Sequence, residues 1–502
     1  SNLVMKLNYK IIFYFFGLLV LFNGGFMLLA ALLSFLYKDG ATFDLFLAGI
    51  SVLVFGVVSM LCTKNHTKEM NKREGYLVVA FGWIVMTLSG TLPYLFTGAI
   101  PDFSNAFFET ISGYTTTGST ILNDIESLPE GVLFWRSLTH WIGGMGIIVL
   151  AIAILPLLGI GGMQLFAAEA PGPSADKLHP RITDTAKRLW LIYFGYTAAE
   201  TLFLSLAGMS FFDALNHSMS TLSTGGFSTK NASIAHWNDT PIIQYIIIVF
   251  MFLAGTNFVL SYFAFKGKLS KIAQDEEFKL YFKFILIFTL IAASVIYYYS
   301  YMDAASVFDH PLVWGIGEGS FRHALFQVVA IVTTTGFVSA EYTLWAPFLL
   351  VFFFGLMFLG GSAGSTAGGV KLVRHLILLK NGFLEFKRSL HPSAVLPVRY
   401  NNKSVSGEIV FNVLGFFILY MLSFIVGALG FAILGLDFES AIGVAASSLG
   451  NVGPALGEFG PSNNFFEMPT AGKWWAAFLM LIGRLELFTV LILFTPFFWR
   501  NR

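Results

Sequence analysis

Ten long apolar stretches constrain the fold of this chain more than any other feature of its sequence. A hydrocarbon core about 30 Å thick requires about 20 apolar residues in a spanning helix, and ten stretches reach that length. Only 12% of the residues are charged, against about 25% in soluble domains. The chain is therefore predicted to be an all-α polytopic membrane protein with ten transmembrane helices. The predicted spans are 9–37, 45–63, 76–98, 131–158, 186–209, 240–266, 279–301, 346–380, 404–435 and 473–498.

Four shorter apolar stretches lie between these spans. They are too short to cross a bilayer, and irregular backbone at membrane depth requires surrounding protein or a water-filled cavity. We therefore predict that each one enters the membrane and returns to the side from which it came. The four stretches are 103–118, 211–226, 320–336 and 437–453.

The distribution of Lys and Arg predicts the orientation, because cytoplasmic loops carry an excess of positive charge. With a cytoplasmic N-terminus, five of the 30 Lys and Arg residues fall outside, one (Arg484) falls within a span, and all others fall inside. Both termini are then cytoplasmic, and the four short stretches dip in from the outer side. The five outer residues are Lys38, Arg136, Lys230, Arg322 and Lys473.

The four short stretches align with one another without a gap. In each, a Phe lies 15 residues and an Ala lies 12 residues before a Gly, and the glycines are 108, 110 and 117 residues apart. Four unrelated glycine-containing loops are the alternative, but two positions that match in every copy favour an internal repeat. The aligned glycines are Gly118, Gly226, Gly336 and Gly453.

The repeat predicts an organisation of span, short helix, filter loop and span. Residues 1–75 form an N-terminal two-span hairpin in this prediction. The four pore repeats that follow are 76–160, 186–267, 279–380 (with a glycine-rich loop) and 404–502.

The loop after each short helix has the composition of a cation filter. Glycine allows positive φ and close approach of backbone, and backbone carbonyls can replace the hydration shell of an ion. The C-terminus of each short helix points inward and carries roughly −0.5 charge, which favours a cation. The predicted cation-binding filter residues, through their carbonyls, are Thr116, Thr117, Gly118, Thr224, Gly225, Gly226, Thr334, Thr335, Gly336, Asn451, Val452 and Gly453.

Acidic residues near the predicted mouth have two possible roles. They either steer cations towards the filter or serve as solvated helix caps. For Asp102, which directly precedes a short helix, capping is the prediction. The four residues are Asp102, Glu109, Asp213 and Glu439.

A glycine-rich segment interrupts the predicted span 346–380. Five glycines within residues 360–369 cannot hold a regular helix, since each costs about 1 kcal/mol relative to Ala. A structural kink that lets helices pack closely is one interpretation. The favoured one is a mobile gating loop beneath the filter, because its Ser and Thr suit a wet pore. The predicted gating residues are Gly360, Gly361, Gly364, Ser365, Gly368, Gly369 and Lys371, together with Arg484.

Arg484 lies in the middle of the last predicted span. An ionised residue at that depth faces a partner or a cavity. We predict a positive barrier in the pore that also donates hydrogen bonds to carbonyls of the 360–369 loop. The alternative is a structural ion pair, but Glu486 is an unsuitable partner because residues two apart do not face each other on a helix.

The filter quartet resembles that of the Trk/Ktr/HKT superfamily of potassium transporters, and residues 76–502 resemble its TrkH-type membrane subunit. The resemblance implies a single-chain pseudo-fourfold pore in a bacterial inner membrane. It implies an intramembrane gating loop at 360–369 with an arginine opposite it. It also implies a homodimer and a separate cytosolic nucleotide-binding ring of the TrkA type. Glycine in all four filters implies potassium preference, whereas serine in the first accompanies sodium permeability in some plant members.

This sequence departs from the uniform filter of tetrameric potassium channels. The residues after the four glycines are Ser119, Phe227, Phe337 and Pro454. We therefore expect incomplete upper carbonyl rings and weaker selectivity against sodium.

Potassium translocation is the predicted function, with K⁺ as the transported ion, no organic cofactor in this chain and no nucleic-acid partner. No nucleotide-binding glycine motif and no acidic or His cluster of an intramembrane enzyme is present in the sequence. The alternative is transport of potassium coupled to protons or sodium, for which Glu200 is the one candidate site.

Overall fold

The computed structural model describes residues 7–66, 70–149, 182–302 and 307–500, and almost all regular structure within them is helical. Two short strands, β1 (Arg399–Tyr400) and β2 (Lys403–Ser404), pair as an antiparallel hairpin. The α-helices are α1 (Tyr9–Tyr37), α2 (Thr42–Cys62), α3 (Lys72–Gly90), α4 (Leu92–Thr97), α5 (Phe103–Tyr114), α6 (Glu130–Val149), α7 (Ile182–Leu206), α8 (Phe211–Leu222), α9 (Pro241–Ala254), α10 (Phe258–Phe265), α11 (Leu269–Gln274), α12 (Glu276–Met302), α13 (Ile316–Val332), α14 (Pro347–Leu356), α15 (Leu372–Leu390), α16 (Gly407–Ile433), α17 (Phe438–Gly450), α18 (Thr470–Arg484), α19 (Phe488–Leu491) and α20 (Pro496–Trp499). Short 3-10 helices cover Ser233–Trp237, Tyr342–Leu344, Gly457–Phe459 and Ile492–Phe494.

Six stretches of the described chain are helices long and apolar enough to cross a membrane. Two bent helix pairs raise that number to eight if each pair counts as one span. The described structure therefore supports a multi-pass membrane fold with six to eight such candidates, where the sequence predicts ten. The six are α1, α2, α3 continued by α4, α7, α12 and α16.

Two predicted spans account for the difference. For the span 131–158, α6 covers the first part, and residues 150–158 lie outside the described residues, as does most of the stretch 160–186. In place of the span 346–380, the ten-residue α14 is followed by a non-helical segment and then by α15. The five glycines explain this interruption, because each lowers the stability of a helix.

Two other predicted spans, 240–266 and 473–498, are broken rather than continuous. Helices α9 and α10 are bent by 104° at a break before Phe258. The side chain of Asn257 starts α10 by accepting a hydrogen bond from the amide of Val259 at 2.9 Å. The last span bends by 111° after α18, where Leu487 adopts a φ of 61° that a helix cannot accommodate.

The four short helices end just before the repeated glycines. α5, α8 and α13 end four residues before their glycine, and α17 ends three residues before it. Asp102 accepts from the amide of Asn105 at 3.0 Å, which confirms its predicted capping role. Ser210 and Asp437 cap α8 and α17 in the same way, whereas α13 begins earlier, after Gly315.

The N-terminal hairpin of α1 and α2 supports the first short helix. Asn23 in α1 is fully buried and donates to the carbonyl of Met86 at 3.1 Å and to Ser89 Oγ at 2.8 Å. Its side-chain oxygen accepts from the hydroxyl of Tyr114, the last residue of α5. This polar contact across helices ties the hairpin to the point where the first filter segment begins.

Candidate ion pathway

The four filter segments leave their helices with the same backbone hydrogen bond. In each, the amide two residues before the repeated glycine donates to the carbonyl three residues earlier, so the last helical turn tightens. The four bonds are Thr116 to Gly113 at 3.0 Å, Thr224 to Thr221 at 2.9 Å, Thr334 to Ile331 at 3.0 Å and Asn451 to Ser448 at 3.3 Å. The aligned sequences therefore share one local conformation.

The residue two before each glycine also adopts a left-handed backbone conformation. Asparagine tolerates this conformation, but for a β-branched threonine it is an outlier. Strain of this kind persists only where the surrounding structure imposes it, and it is concentrated at functional sites. The φ values are 52° at Thr116, 55° at Thr224, 57° at Thr334 and 55° at Asn451. The sequence carries no signal for this strain at the three threonines.

The repeated glycines form a closed ring of contacts. A Cβ atom on each glycine would lie only 2.0 to 2.6 Å from a carbonyl oxygen of the next filter segment, and the fourth segment contacts the first. Each glycine also has a φ between 76° and 108°, so both sterics and backbone conformation exclude a side chain. The contacts are Gly118 with Gly225, Gly226 with Thr335, Gly336 with Val452 and Gly453 with Thr117.

Most carbonyl oxygens of the filter segments receive no hydrogen bond from the described residues. Buried backbone carbonyls are nearly always paired, so a ring of unpaired ones requires a cause. The carbonyl of Gly453 differs, since it accepts from Ser119 Oγ and from Ser447 Oγ, both at 2.8 Å. The unpaired carbonyls belong to Thr116, Thr117, Gly118, Thr224, Gly226, Thr334, Thr335, Gly336, Asn451 and Val452.

The glycine-rich loop passes along one side of this ring. Thr366 Oγ1 donates to the carbonyl of Leu222 at 2.8 Å, at the C-terminus of α8. The carbonyl of Thr366 accepts from Thr224 Oγ1 at 2.9 Å, and the amide of Gly368 donates to Thr334 Oγ1 at 2.7 Å. The tip of the loop is thus bonded to the strained threonines of the second and third filter segments.

The stem of the loop fits into the break between α9 and α10. The amide of Ser362 donates to the carbonyl of Gly255 at 2.9 Å, and the amide of Phe258 donates to the carbonyl of Gly364 at 3.1 Å. Gly255, Thr256 and Asn257 form a helix-breaking triplet, which is the sequence signal that could have revealed this break.

The remaining predicted gating residues occupy turns of this loop. Gly364 and Gly369 have φ values of 73° and 69°. The amide of Gly360 bonds to the carbonyl of Val370 at 2.8 Å, and the carbonyl of Gly361 accepts from Leu372 at 3.1 Å. Ser365 Oγ donates to the carbonyl of Ser362 at 2.6 Å.

Arg484 and Lys371 bring two positive charges to the loop. Arg484 Nη1 donates to the carbonyl of Thr366 at 2.7 Å, while its Nε and Nη2 have no hydrogen-bond partner among the described residues. Lys371 Nζ donates to the carbonyl of Ala367. Both side chains are more than nine-tenths buried. Glu486 pairs instead with Arg374 at 2.9 Å, and no carboxylate among the described residues forms an ion pair with Arg484.

Glu109 and Arg136 form a buried ion pair that the sequence did not predict. Glu109 in α5 is fully buried and pairs with Arg136 of α6 at 2.8 Å, so it is neither a solvated cap nor a steering charge. Arg136 also donates to the carbonyl of Ser228 at 2.7 Å and lies 3.8 Å from the ring centre of Phe227. It therefore joins the first repeat to the segment that follows Gly226.

Glu200 is fully buried in α7. Its carboxyl lies beside Thr221 of the second short helix.

The fold and this site define a polytopic helical membrane protein in which helices surround a ring of four glycine-containing segments. The chain belongs to the TrkH family, because the family model described as "Cation transport protein" matches residues 41–501. The resemblance seen in the sequence is confirmed.

Curated relatives and a solved structure cover almost the entire chain. The Trk system potassium uptake protein TrkH of Salmonella typhimurium is 41% identical, over 97% of this chain and 98% of its own length. The protein of the same name from Halomonas elongata is 40% identical, over 99% of this chain and 100% of its own. The crystal structure of the potassium transporter TrkH from Vibrio parahaemolyticus superposes with a TM-score of 0.86 at 37% identity, covering 98% of this chain and 100% of that one.

Proposed function

We propose that this chain conducts potassium across a bacterial inner membrane through a pseudo-fourfold pore built from one chain. The observation that carries the proposal is the closed ring of glycines, in which each filter segment contacts the next. The names of the relatives, which describe potassium uptake, support K⁺ as the ion.

The unpaired carbonyls give the ring its chemistry. Carbonyl oxygens around a common centre replace the hydration shell of a cation as it enters. Four helix C-termini directed at that centre add negative potential without a single carboxylate. At the level of the glycines, the fourth carbonyl is bonded to two serine hydroxyls, so the ring is incomplete there. Potassium is preferred, with weaker discrimination against sodium than four equal carbonyls would give.

The glycine-rich loop and Arg484 form the gate in this proposal. The loop bonds to the base of the second and third filter segments, and Arg484 bonds to the same loop at Thr366. A guanidinium beside the path repels cations, and its desolvation leaves this charge poorly screened. Flux requires the loop to withdraw, which breaks a small number of hydrogen bonds and leaves the filter intact.

The proposal includes orientation and partners. The positive-inside rule places both termini and the β1–β2 hairpin in the cytoplasm. The chain forms a homodimer, and a separate cytosolic nucleotide-binding ring of the TrkA type acts on the loop from that side.

The test is cation flux in proteoliposomes that contain the purified chain alone. Gradients of potassium, rubidium, sodium and lithium are compared with and without an imposed voltage. We expect potassium and rubidium flux above sodium flux, with a direction that follows the electrical gradient. Flux that occurs only with a proton or sodium gradient would contradict the pore and direct attention to Glu200.

A further inference from the structure

One carboxyl group accepts hydrogen bonds from the glycine-rich loop and from the helix that follows it. Glu277 lies in the first turn of α12 and is only 2% exposed. Its Oε1 accepts a hydrogen bond from the amide of Ala363 at 2.8 Å and another from the amide of Val373 at 3.0 Å. Ala363 belongs to the loop, and Val373 belongs to the first turn of α15, which follows it. The loop and the helix after it are thus fixed to a third element by a single side chain.

The position of Glu277 suits a carboxylate for two reasons. The first amides of a helix have no partner within the helix, and the N-cap residue of α15, Lys371, provides no side-chain cap. Glu277 supplies that missing cap from α12, where the positive end of the α15 dipole favours its charge.

The residues beside Glu277 attach the same helix end to the β1–β2 hairpin. Asn401, in the turn of the hairpin, accepts from the amide of Glu276 at 3.0 Å and donates to Asp275 Oδ1 at 3.0 Å. Lys380 of α15 bonds to Glu276 and to the carbonyl of Arg399, the latter at 2.7 Å. A displacement of the hairpin therefore acts on the turn that carries Glu277.

We propose that Glu277 is the positioning residue that keeps the gating loop closed and links it to the 399–404 hairpin. The inference rests on the proposed function, because it assigns a role in the gate described above. When the hairpin moves the start of α12, both bonds to Glu277 break, and the loop is released while the filter stays unchanged.

The first experiment is potassium and sodium flux in proteoliposomes of Glu277 variants. Glu277→Ala removes both bonds, and we expect basal potassium flux to rise about tenfold, the shift that loss of two ordinary hydrogen bonds gives in a two-state equilibrium. The potassium-to-sodium ratio should stay unchanged. Glu277→Gln keeps an oxygen that can accept both bonds and should restore low flux. Glu277→Asp is one methylene shorter, cannot reach both amides, and should give intermediate flux.

The matched control is Glu408→Ala. Glu408 also lies in the first turn of a long helix, α16, but it is exposed and makes no contact with the loop among the described residues. Its flux should equal that of the parent chain. Parent-level flux in Glu277→Ala and Glu277→Asp, with raised flux on deletion of 360–369, would overturn the role of Glu277 and leave the gate standing. Parent-level flux on deletion of the loop would overturn the gate and this inference together.

A second measurement follows the loop itself. Ser365 is 2% exposed, and Ser365→Cys is nearly isosteric, so it reports loop opening by its reaction with a water-soluble maleimide. The background carries Cys62→Ser, because the single native cysteine is exposed. We expect slow labelling in this background, labelling about tenfold faster with Glu277→Ala added, and slow labelling again with Glu277→Gln. Equal rates in all three would overturn the proposal.

Discussion

Ser119 Oγ donates a 2.8 Å hydrogen bond to the carbonyl of Gly453, a residue 334 positions further along the chain. Ser447 donates to the same oxygen, also at 2.8 Å. A carbonyl oxygen has two lone pairs, and both are engaged here. The carbonyls of the other three repeated glycines, Gly118, Gly226 and Gly336, accept no such bond from the described residues. At the glycine level of the ring, three carbonyls therefore lack such a bond from the described residues.

The first prediction concerns the hydrogen-bonded carbonyl of Gly453. The double variant Ser119→Ala, Ser447→Ala frees the oxygen of Gly453, and we expect the potassium-to-sodium permeability ratio to rise because a fourth carbonyl joins the level. Reversal potentials in planar bilayers under mixed gradients measure that ratio. Ser127→Ala, at an exposed serine in the loop between α5 and α6, is the control and should leave this ratio unchanged. A lower ratio in the double variant would mean that the two hydroxyls hold the filter in its selective shape.

The second prediction concerns the first filter glycine. In Gly118→Ser the new Cβ would lie 2.0 Å from the carbonyl oxygen of Gly225, so the two segments must separate. The φ of 86° adds backbone strain of about 1–3 kcal/mol. We expect lower potassium flux and a higher sodium-to-potassium ratio, measured by flux in proteoliposomes.

The control for this substitution separates strain from crowding. Gly98 has a φ of 71°, but a Cβ there would meet no atom within 4 Å. Gly98→Ser should lower thermal stability slightly and leave ion selectivity as it is. If Gly118→Ser kept parent selectivity, close approach at the ring would not determine which ion passes.

The class of the fold could be predicted from the sequence because lipid imposes a simple rule. Every backbone group in the membrane needs an internal partner, so long apolar stretches become helices. Hydropathy did not predict the breaks before Phe258 and after Arg484, because the hydropathy of a span does not change when its helix bends. The triplet Gly255, Thr256 and Asn257 is the local signal for the first break, but the glycine-rich loop that fits into this break comes from a distant part of the sequence.

The site could be predicted only in its repeating parts. The glycines align in the sequence because every copy has the same steric requirement. The bond from Ser119 to Gly453 and the two bonds to Glu277 join residues far apart in the sequence, so no periodicity records them. The left-handed backbone of the three threonines has no signal in the residue type. Glu109 illustrates the same limit. A carboxylate near a predicted pore mouth suggests a surface charge, but Glu109 forms an ion pair in the interior with Arg136, which belongs to the next helix along the chain.

The third prediction concerns the buried pair of Glu109 and Arg136. Glu109→Gln leaves the guanidinium without its counter-charge, and breaking a buried pair in this way costs about 3–5 kcal/mol. We expect a lower unfolding temperature in detergent and a less selective filter, because Arg136 also holds the carbonyl of Ser228. Adding Arg136→Met removes the unpaired charge and should recover much of the stability. A double variant as unstable as Glu109→Gln would contradict this account.

The last prediction concerns the charge at the gate. Arg484→Gln removes the positive charge but keeps an amide donor on a shorter side chain, whereas Arg484→Ala removes both. If the charge is the main barrier, both variants conduct more potassium than the parent, because the repulsion of a cation in a low-dielectric site is lost. If the hydrogen bond to the loop dominates, Arg484→Ala conducts far more than Arg484→Gln. Single-channel recordings distinguish the two effects. A charge barrier changes the conductance of the open pore, whereas a hydrogen bond that holds the loop closed changes the open probability. Lys283→Gln, at an exposed lysine of α12, controls for loss of positive charge elsewhere and should conduct as the parent does. Parent-level conductance and open probability in both Arg484 variants would remove this residue from the gate.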